Sequence, residues 1–399
     1  MTCGLLHAVP RDSSEGMTMI VKAAGIPLDE DEIIEGIRRW VMIESPTHDA
    51  AGVEAVLDEV ESDFAGLPVL VDRRPGIDGF AGTLRITTAG ASNEKPILVL
   101  THVDTVHPKG TLAGRLPFRR EGDRLYGPGL YDMKGGAYLA VAGYRALVRA
   151  GVPTARPVTF LFTPDEEVGS PTSRALIEEE AARAAYVLVT EPARDGGRIV
   201  TARKGVGRFR IMTHGRPAHA GARHQDGRSA IREMARQILA IEAMTDYDRG
   251  ITTTVGLING GTAANVIPET CTAEIDLRVP DPETGAEMVR RIRTLQAADP
   301  DVNLHIEGDM NRPPYPRTAP IVAMLDHARS VARSIGFDLE DCPMTGGGSD
   351  GNFTAALGVP TLDGLGIDGA GAHTLEEHGL VSSILPRTRL LAGLMETLR

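Results

Sequence analysis

A chain of 399 residues is too long for one ordinary core and implies two domains. Apolar residues at 42% and charged residues at 24% exclude a disordered or fibrous chain, and a net charge of −12 spread along the sequence leaves no basic block for nucleic acid or an anionic membrane surface. No apolar stretch reaches the length of a membrane span, and the N-terminus lacks the basic flank and cleavage site of a secretory signal, so a cytoplasmic protein is expected, with Met1, Met17 and Met19 as alternative starts.

Glu32–Ile43 reads as a helix with Ile33, Ile37 and Val41 on one face, broken by Ser45-Pro46-Thr47. Ile97–Leu100, Val158–Phe162 and Tyr186–Val189 are short apolar runs of the kind buried on both faces of a mostly parallel sheet, and Met133–Ala150 is an Ala-rich helix between the first two. The texture changes near residue 205. Val206–Thr213, Thr252–Leu257, Cys271–Val279 and Asn303–Glu307 are strands, separated by helices at Ser229–Met244 and Glu283–Ala297. That β-α-β-β-α-β order is a ferredoxin-like α+β unit with one wet sheet face. Arg312-Pro313-Pro314-Tyr315-Pro316 reads as a stiff exit linker, after which α/β texture resumes. The expected architecture is a mixed, mostly parallel α/β catalytic domain (17–204 and 315–399) interrupted by an inserted α+β domain (205–314).

His and acidic residues follow the C-terminal ends of the apolar runs, the edge where open α/β sheets bind ligands. Thr101-His102-Val103-Asp104 lets a carboxylate fix the imidazole tautomer for metal binding, although a lone His-x-Asp is usually incidental. Gly127-Pro128-Gly129-Leu130-Tyr131-Asp132-Met133-Lys134-Gly135-Gly136 places Asp132 on a tight turn, where it either offers an oxygen to each of two metals or merely caps the next helix. In Asp165-Glu166-Glu167 adjacent glutamates can divide metal binding from base chemistry, unless the run is a solvated turn. Glu191 follows the next strand, and Gly371-Ala372-His373-Thr374 sets a His in a Gly-rich loop. Cys3, Cys271 and Cys342 lie far apart without metal-pair spacing, so any metal here is held by His, Asp and Glu. Two His and three carboxylates suit two divalent ions, Zn²⁺ first and Mn²⁺ or Co²⁺ as alternatives; Asp132, Glu167, Glu191 and a metal-bridging hydroxide would balance their charge.

From about residue 30 onward these segments, in this order, resemble the metallopeptidase and amidohydrolase family of aminoacylase, acetylornithine deacetylase, succinyl-diaminopimelate desuccinylase and glutamate carboxypeptidase, the last most closely. The resemblance implies that His102 and Glu191 hold one metal and Glu167 and His373 the other, with Asp132 bridging, Asp104 orienting His102 and Glu166 as general base and acid. It also covers Gly215–Gly221, Gly260–Pro268 and Gly346–Asn352. There it implies that His219 stabilises the oxyanion in a neighbouring subunit's site, that Asn265 contacts substrate, that Arg278 binds a substrate carboxylate, and that Gly347 and Gly348 flank the substrate. The inserted domain would then act as lid and homodimer interface. Read alone, His219 is a surface histidine, Arg278 pairs with Asp276 or Glu274, and the glycines are a flexible turn.

The expected activity is hydrolysis of a C–N amide bond, of carboxypeptidase or N-acyl-amino-acid deacylase type, on a small carboxylate-bearing substrate, with no nucleic-acid or membrane partner. The same residues would serve a non-peptide C–N bond, in an aryl amine such as an aminobenzoate or in a ureido compound. A catalytically silent homologue is the remaining alternative, and the intact ligand set argues against it.

Overall fold

The computed structural model describes residues 21–92 and 94–399; Cys3 and the alternative starts Met1, Met17 and Met19 lie outside them. The first helix, Glu30–Val41, begins where the Asp29 carboxylate accepts the backbone N–H groups of Asp31 and Glu32. Acidic residues fill its first turn and Arg38 and Arg39 its last, matching the helix dipole, and it buries Ile33, Ile37, Trp40 and Val41.

The larger sheet has six strands in the order Val69–Arg74, Thr83–Thr88, Val158–Thr163, Ile97–His102, Tyr186–Val189 and Thr361–Leu362. The first two strands run antiparallel to their neighbours and the remaining pairings are parallel. Every residue of Ile97–His102 and Val158–Thr163 is buried. Alternation explains this: Ile97 and Val99 join the core beneath the helices Gly135–Arg149 and Val381–Thr397, whereas Leu98 and Leu100 join a second core with Ile177 and Phe353. The strands Val69–Arg74 and Thr83–Thr88 were not expected from the sequence. Half of Val-Leu-Val-Asp-Arg-Arg is charged, and as an edge strand it lies partly open to solvent.

The second sheet is fully antiparallel, in the order Thr252–Gly260, Thr270–Val279, Gly205–His214 and Asn303–Arg312. With the helices Ala230–Glu242 and Pro282–Arg293 it makes a ferredoxin-like unit around Phe209, Ile211, Ile275, Leu277, Met234 and Met288. The fold is therefore the expected mixed α/β sheet with an inserted α+β unit. One detail differs. The strand read as ending at Glu307 continues to Arg312, so Arg312 is not the start of a free linker; it is the last residue of a strand and is buried. Gly308, at φ 119°, hid this continuation from a reading of side-chain alternation. Among the described residues no helix is long and apolar enough to cross a membrane.

The helix Gly135–Arg149 abuts the sheet edge through glycine. A Cβ on Gly136 would lie 2.1 Å from the carbonyl oxygen of Thr190 and 2.8 Å from the Cα of Gly366. Both obstacles are backbone, so neither yields easily. The substitution Gly136→Ala is expected to push the helix off the strand end that carries Glu191 and to cost about 1–3 kcal/mol or more, as overpacking does. Denaturant unfolding checks the stability loss, and an unchanged midpoint would show that the contact relaxes freely.

Candidate metal centre

Three parallel strands end side by side and deliver the acidic and imidazole groups to one edge. His102 is the last residue of Ile97–His102; Glu166 and Glu167 occupy a single helical turn after Val158–Thr163; Glu191 follows Tyr186–Val189. Asp132 lies in the turn Leu130–Lys134, whose Asp132–Met133 peptide is cis. It does not cap the following helix, which begins at Gly135 after Lys134 without a side-chain cap. Asp132 splits its oxygens between two imidazoles. Oδ1 is 3.3 Å from Nε2 of His102, and Oδ2 is 3.2 Å from Nε2 of His373. Glu191 approaches His102 Nε2 at 3.7 Å, and Glu167 approaches His373 Nε2 at 3.3 Å. The five side chains thus form two half-sets that share one carboxylate. His373 is held at φ 64°, a left-handed conformation uncommon for a side-chain-bearing residue and concentrated at functional sites.

The donor atoms fit divalent cations. His102 Nε2 and Glu167 Oε1 are buried and make no hydrogen bond with any described residue, a costly state for polar atoms unless a ligand satisfies them. His102 Nδ1 lies 3.0 Å from the carbonyl oxygen of Asp104; because that oxygen only accepts, Nδ1 carries the proton and Nε2 presents its lone pair. The electrostatics agree. Burial, with the charge of Asp132 beside it, pushes Glu167 up to about 8 and Glu191 well above the usual carboxylate range. Burial opposes charge on Asp132 as well, but the flanking imidazoles hold it low. Hydrogen bonds to Asp132 and Glu167 raise His373 to about 10. Negative charge is in excess throughout, the setting that bound cations relieve.

Glu166 lies within reach of the same cluster, since one of its oxygens is within 4.8 Å of donor atoms of His102 and Glu191. Its environment is different. Oε1 accepts a hydrogen bond from Arg312 at 2.7 Å, and Arg312 also donates to Asp350 at 2.8 Å. Arg278, Gly347 and Gly348 line the same cavity as Asp132, Glu166, Glu167, Glu191 and His373. Arg278 pairs with Asp276 at 2.6 and 2.8 Å while donating to the Gly346 carbonyl. Gly348 is needed as glycine because a Cβ there would lie 2.8 Å from Arg312 Cδ and 2.9 Å from Val206 Cγ2. His219 and Asn265 are exposed and stand outside this cavity, joined to each other's loop by the Ala220 N–H to Asn265 carbonyl bond.

Two supports lie behind these residues. Asp104 is buried; Oδ1 is 3.4 Å from His102 Nδ1, farther than its own carbonyl, and its carboxylate accepts instead from Thr47 Oγ1 and from the backbone N–H groups of Glu166 and Glu167. It ties the turn that carries Glu166 and Glu167 to the His102 strand. Glu377 does the same for Asp132. This buried carboxylate accepts the N–H groups of Gly129, Tyr131 and Asp132 and pairs with His107. The sequence signalled neither Glu377 nor His107, which reads as a structural or surface histidine, because the partners of Glu377 are backbone amides about 250 residues away and the partner of His107 is the Glu377 carboxylate itself. Beneath the turn, Lys134 donates to the carbonyls of Trp40 and Ile43, and burial lowers it to about 7.

In Glu377→Gln an amide NH₂ replaces an oxygen that faces N–H donors on both sides, so at least one donor loses its partner. The expected cost is about 1–3 kcal/mol of stability, with weaker retention of divalent metal. Denaturant unfolding and metal content after dialysis measure both, and wild-type values in each would show that the turn holds itself.

Comparison with known proteins gives a consistent result. The model of peptidase family M20/M25/M40 matches residues 98–397. Carboxypeptidase G2 of Pseudomonas sp. (strain RS-16) is 29% identical over 368 residues, covering 92% of this chain and 88% of the relative. A succinyl-diaminopimelate desuccinylase of Paracidovorax citrulli is 28% identical over 336 residues, covering 79% of this chain and 84% of the relative. Among solved structures, aminopeptidase PepT of Bacillus cereus shares the fold at a TM-score of 0.76 and 22% identity, over 92% of this chain and 98% of that one. The chain belongs to peptidase family M20/M25/M40 and is a metal-dependent hydrolase of C–N bonds.

Proposed function

We propose that this chain is a carboxypeptidase-type amide hydrolase in which His102 and Glu191 hold one divalent cation, Glu167 and His373 a second, and Asp132 offers an oxygen to each. The mixed imidazole and carboxylate set suits Zn²⁺, with Mn²⁺ or Co²⁺ as alternatives. Bound there, such cations polarise a carbonyl and make water acidic enough to attack near neutral pH. The observation that carries the reading is the different environment of two adjacent glutamates. Glu167 turns toward His373 and keeps an unpartnered oxygen, whereas Glu166 is gripped by a guanidinium that disfavours a cation beside it. Glu166 is thus the proton carrier. Burial raises its pKa, the Arg312 charge counters part of that, and the balance suits a group that must both accept and return a proton. It takes the proton of the attacking water and delivers it to the departing nitrogen. Asp104 orients His102, and Arg278 holds the carboxylate of the amino acid released, with Gly347 and Gly348 leaving room beside it.

His219 and Asn265 enter from a second copy of the chain through the inserted unit. Nδ1 of His219 lies 3.2 and 3.1 Å from the backbone N–H groups of Gly221 and Ala222, which makes it an acceptor and leaves the proton on Nε2. That exposed N–H is the donor a tetrahedral oxyanion needs, and one such donor contributes about 3 kcal/mol.

Two experiments test this reading. Metal-loaded enzyme is assayed on an N-acyl-glutamate with and without chelator, beside Glu166→Gln. Chelator-sensitive release of glutamate is expected, with turnover lowered on the order of 10²–10⁴-fold in the variant at unchanged metal content. Near-wild-type turnover in Glu166→Gln would remove its role, and bound metal without cleavage of acyl amino acids would move the substrate to another C–N bond. Separately, His219→Ala and Glu166→Gln, each inactive alone, are mixed after dissociation and reassociation. Shared sites in a two-fold dimer should recover about a quarter of wild-type activity; no recovery would place His219 outside its neighbour's site.

A further inference from the structure

A fully buried ion pair, Arg203 with Asp363, stands behind the glycine-rich loop at 346–348. Residues 202–204 lead into the inserted unit and are held by main chain on both sides. Arg203 exchanges two backbone hydrogen bonds with Tyr315, on the way out of that unit, while Thr345 donates to Ala202 and accepts from Lys204. The guanidinium is equally constrained. Nε donates to Asp363 at 2.7 Å and Nη1 to the carbonyl oxygens of Gly347 and Gly348 at 3.2 and 3.5 Å, while Nη2 is buried without a hydrogen-bond partner among the described residues. Asp363 also accepts from Ser349 Oγ at 2.6 Å, so both members of the pair hold the same loop. Buried ion pairs contribute little stability over apolar residues of similar volume, so stability alone does not account for this one.

Three consecutive glycines, Gly346, Gly347 and Gly348, leave the loop's peptides free to turn over, so their orientation must be imposed from outside. The Gly347–Gly348 peptide is trans, and its C=O and N–H point in opposite directions. With the carbonyl turned back to Arg203, the Gly348 N–H is turned outward; it donates to no described residue, and Gly347 and Gly348 line the cavity of the metal candidates. Arg203 is not among the residues that line that cavity. We propose that Arg203 is a positioning residue: paired with Asp363, it fixes the Gly347–Gly348 peptide so that the Gly348 N–H is presented to a carboxylate oxygen of the bound amide, without touching substrate itself. The inference rests on the carboxypeptidase-type reading, which sets these glycines beside the carboxylate held by Arg278. The competing role for Arg203 is that of a countercharge, because its charge also acts on Glu191.

The test separates the shape of the guanidinium from its charge. Arg203→Lys keeps the charge beside Asp363 but loses the planar fork that reaches carboxylate and loop carbonyl together. Arg203→Met/Asp363→Asn removes both charges, so that neither is left buried alone, and keeps an acceptor for Ser349. Metal-loaded variants are assayed on an N-acyl-glutamate, with metal content measured after dialysis and a crystal structure determined for each. Both variants should raise KM about tenfold or more, with kcat within about threefold of wild type and metal content unchanged. In both crystal structures the Gly347–Gly348 peptide should be rotated or disordered. A wild-type KM in Arg203→Lys, or loss of metal with KM unchanged, would make Arg203 a countercharge and overturn the proposal, as would a wild-type orientation of the peptide in both crystal structures. If the wild-type enzyme hydrolyses no acyl amino acid, the carboxypeptidase reading fails, and the crystal structures alone decide whether Arg203 fixes the peptide.

Discussion

Burying carboxylates next to one another is the constraint around which this structure is built. Asp132, Glu167 and Glu191 converge at one sheet edge with their side chains almost wholly removed from water. Each isolated charge would cost several kcal/mol there, so the arrangement requires both a source of positive charge and a scaffold that resists its relaxing apart. The imidazoles of His102 and His373 mark where that positive charge belongs. The scaffold is the parallel sheet, whose strands are fixed on both faces by separate cores and whose ends cannot shift independently.

The supporting contacts share one pattern. Asp104 and Glu377 are themselves buried carboxylates, and each is tied down by backbone N–H groups of a segment that carries a residue of the cluster. Backbone donors are the natural partners for this task because their positions are set by the main chain rather than by a rotamer. Gly136 contributes by omission, letting a helix close on the strand end that carries Glu191. The two halves of the centre are therefore positioned by different parts of the chain, and neither depends on a single loop.

Much of this was legible in the sequence, for a reason that individual residues make clear. Ile97–Leu100, Val158–Phe162 and Tyr186–Val189 are dense apolar runs, and the residues just after each run are polar enough to stand out; His102, Glu166, Glu167 and Glu191 all come from that contrast. The ferredoxin-like unit was legible through alternation. Whatever acts through the main chain or at long range escaped. Glu377 has no apolar run before it, His107 looks like any loop histidine, and Val69–Arg74 is too charged to read as a strand. Arg312 was obscured by the prolines after it, which suggested a linker where a strand was ending. Arg278 shows a different limit. Pairing with Asp276 and facing the cavity are alternatives when only the sequence is read, and the structure has both at once.

Arg312 also belongs to the territory of both sheets. It closes the last strand of the inserted unit while donating to Glu166 and Asp350 on the other side. A rotation of one unit against the other cannot leave those hydrogen bonds untouched. Any swing that opens or narrows the cavity is therefore transmitted mechanically to Glu166, so that access to the cavity and the environment of this carboxylate are governed by the same joint.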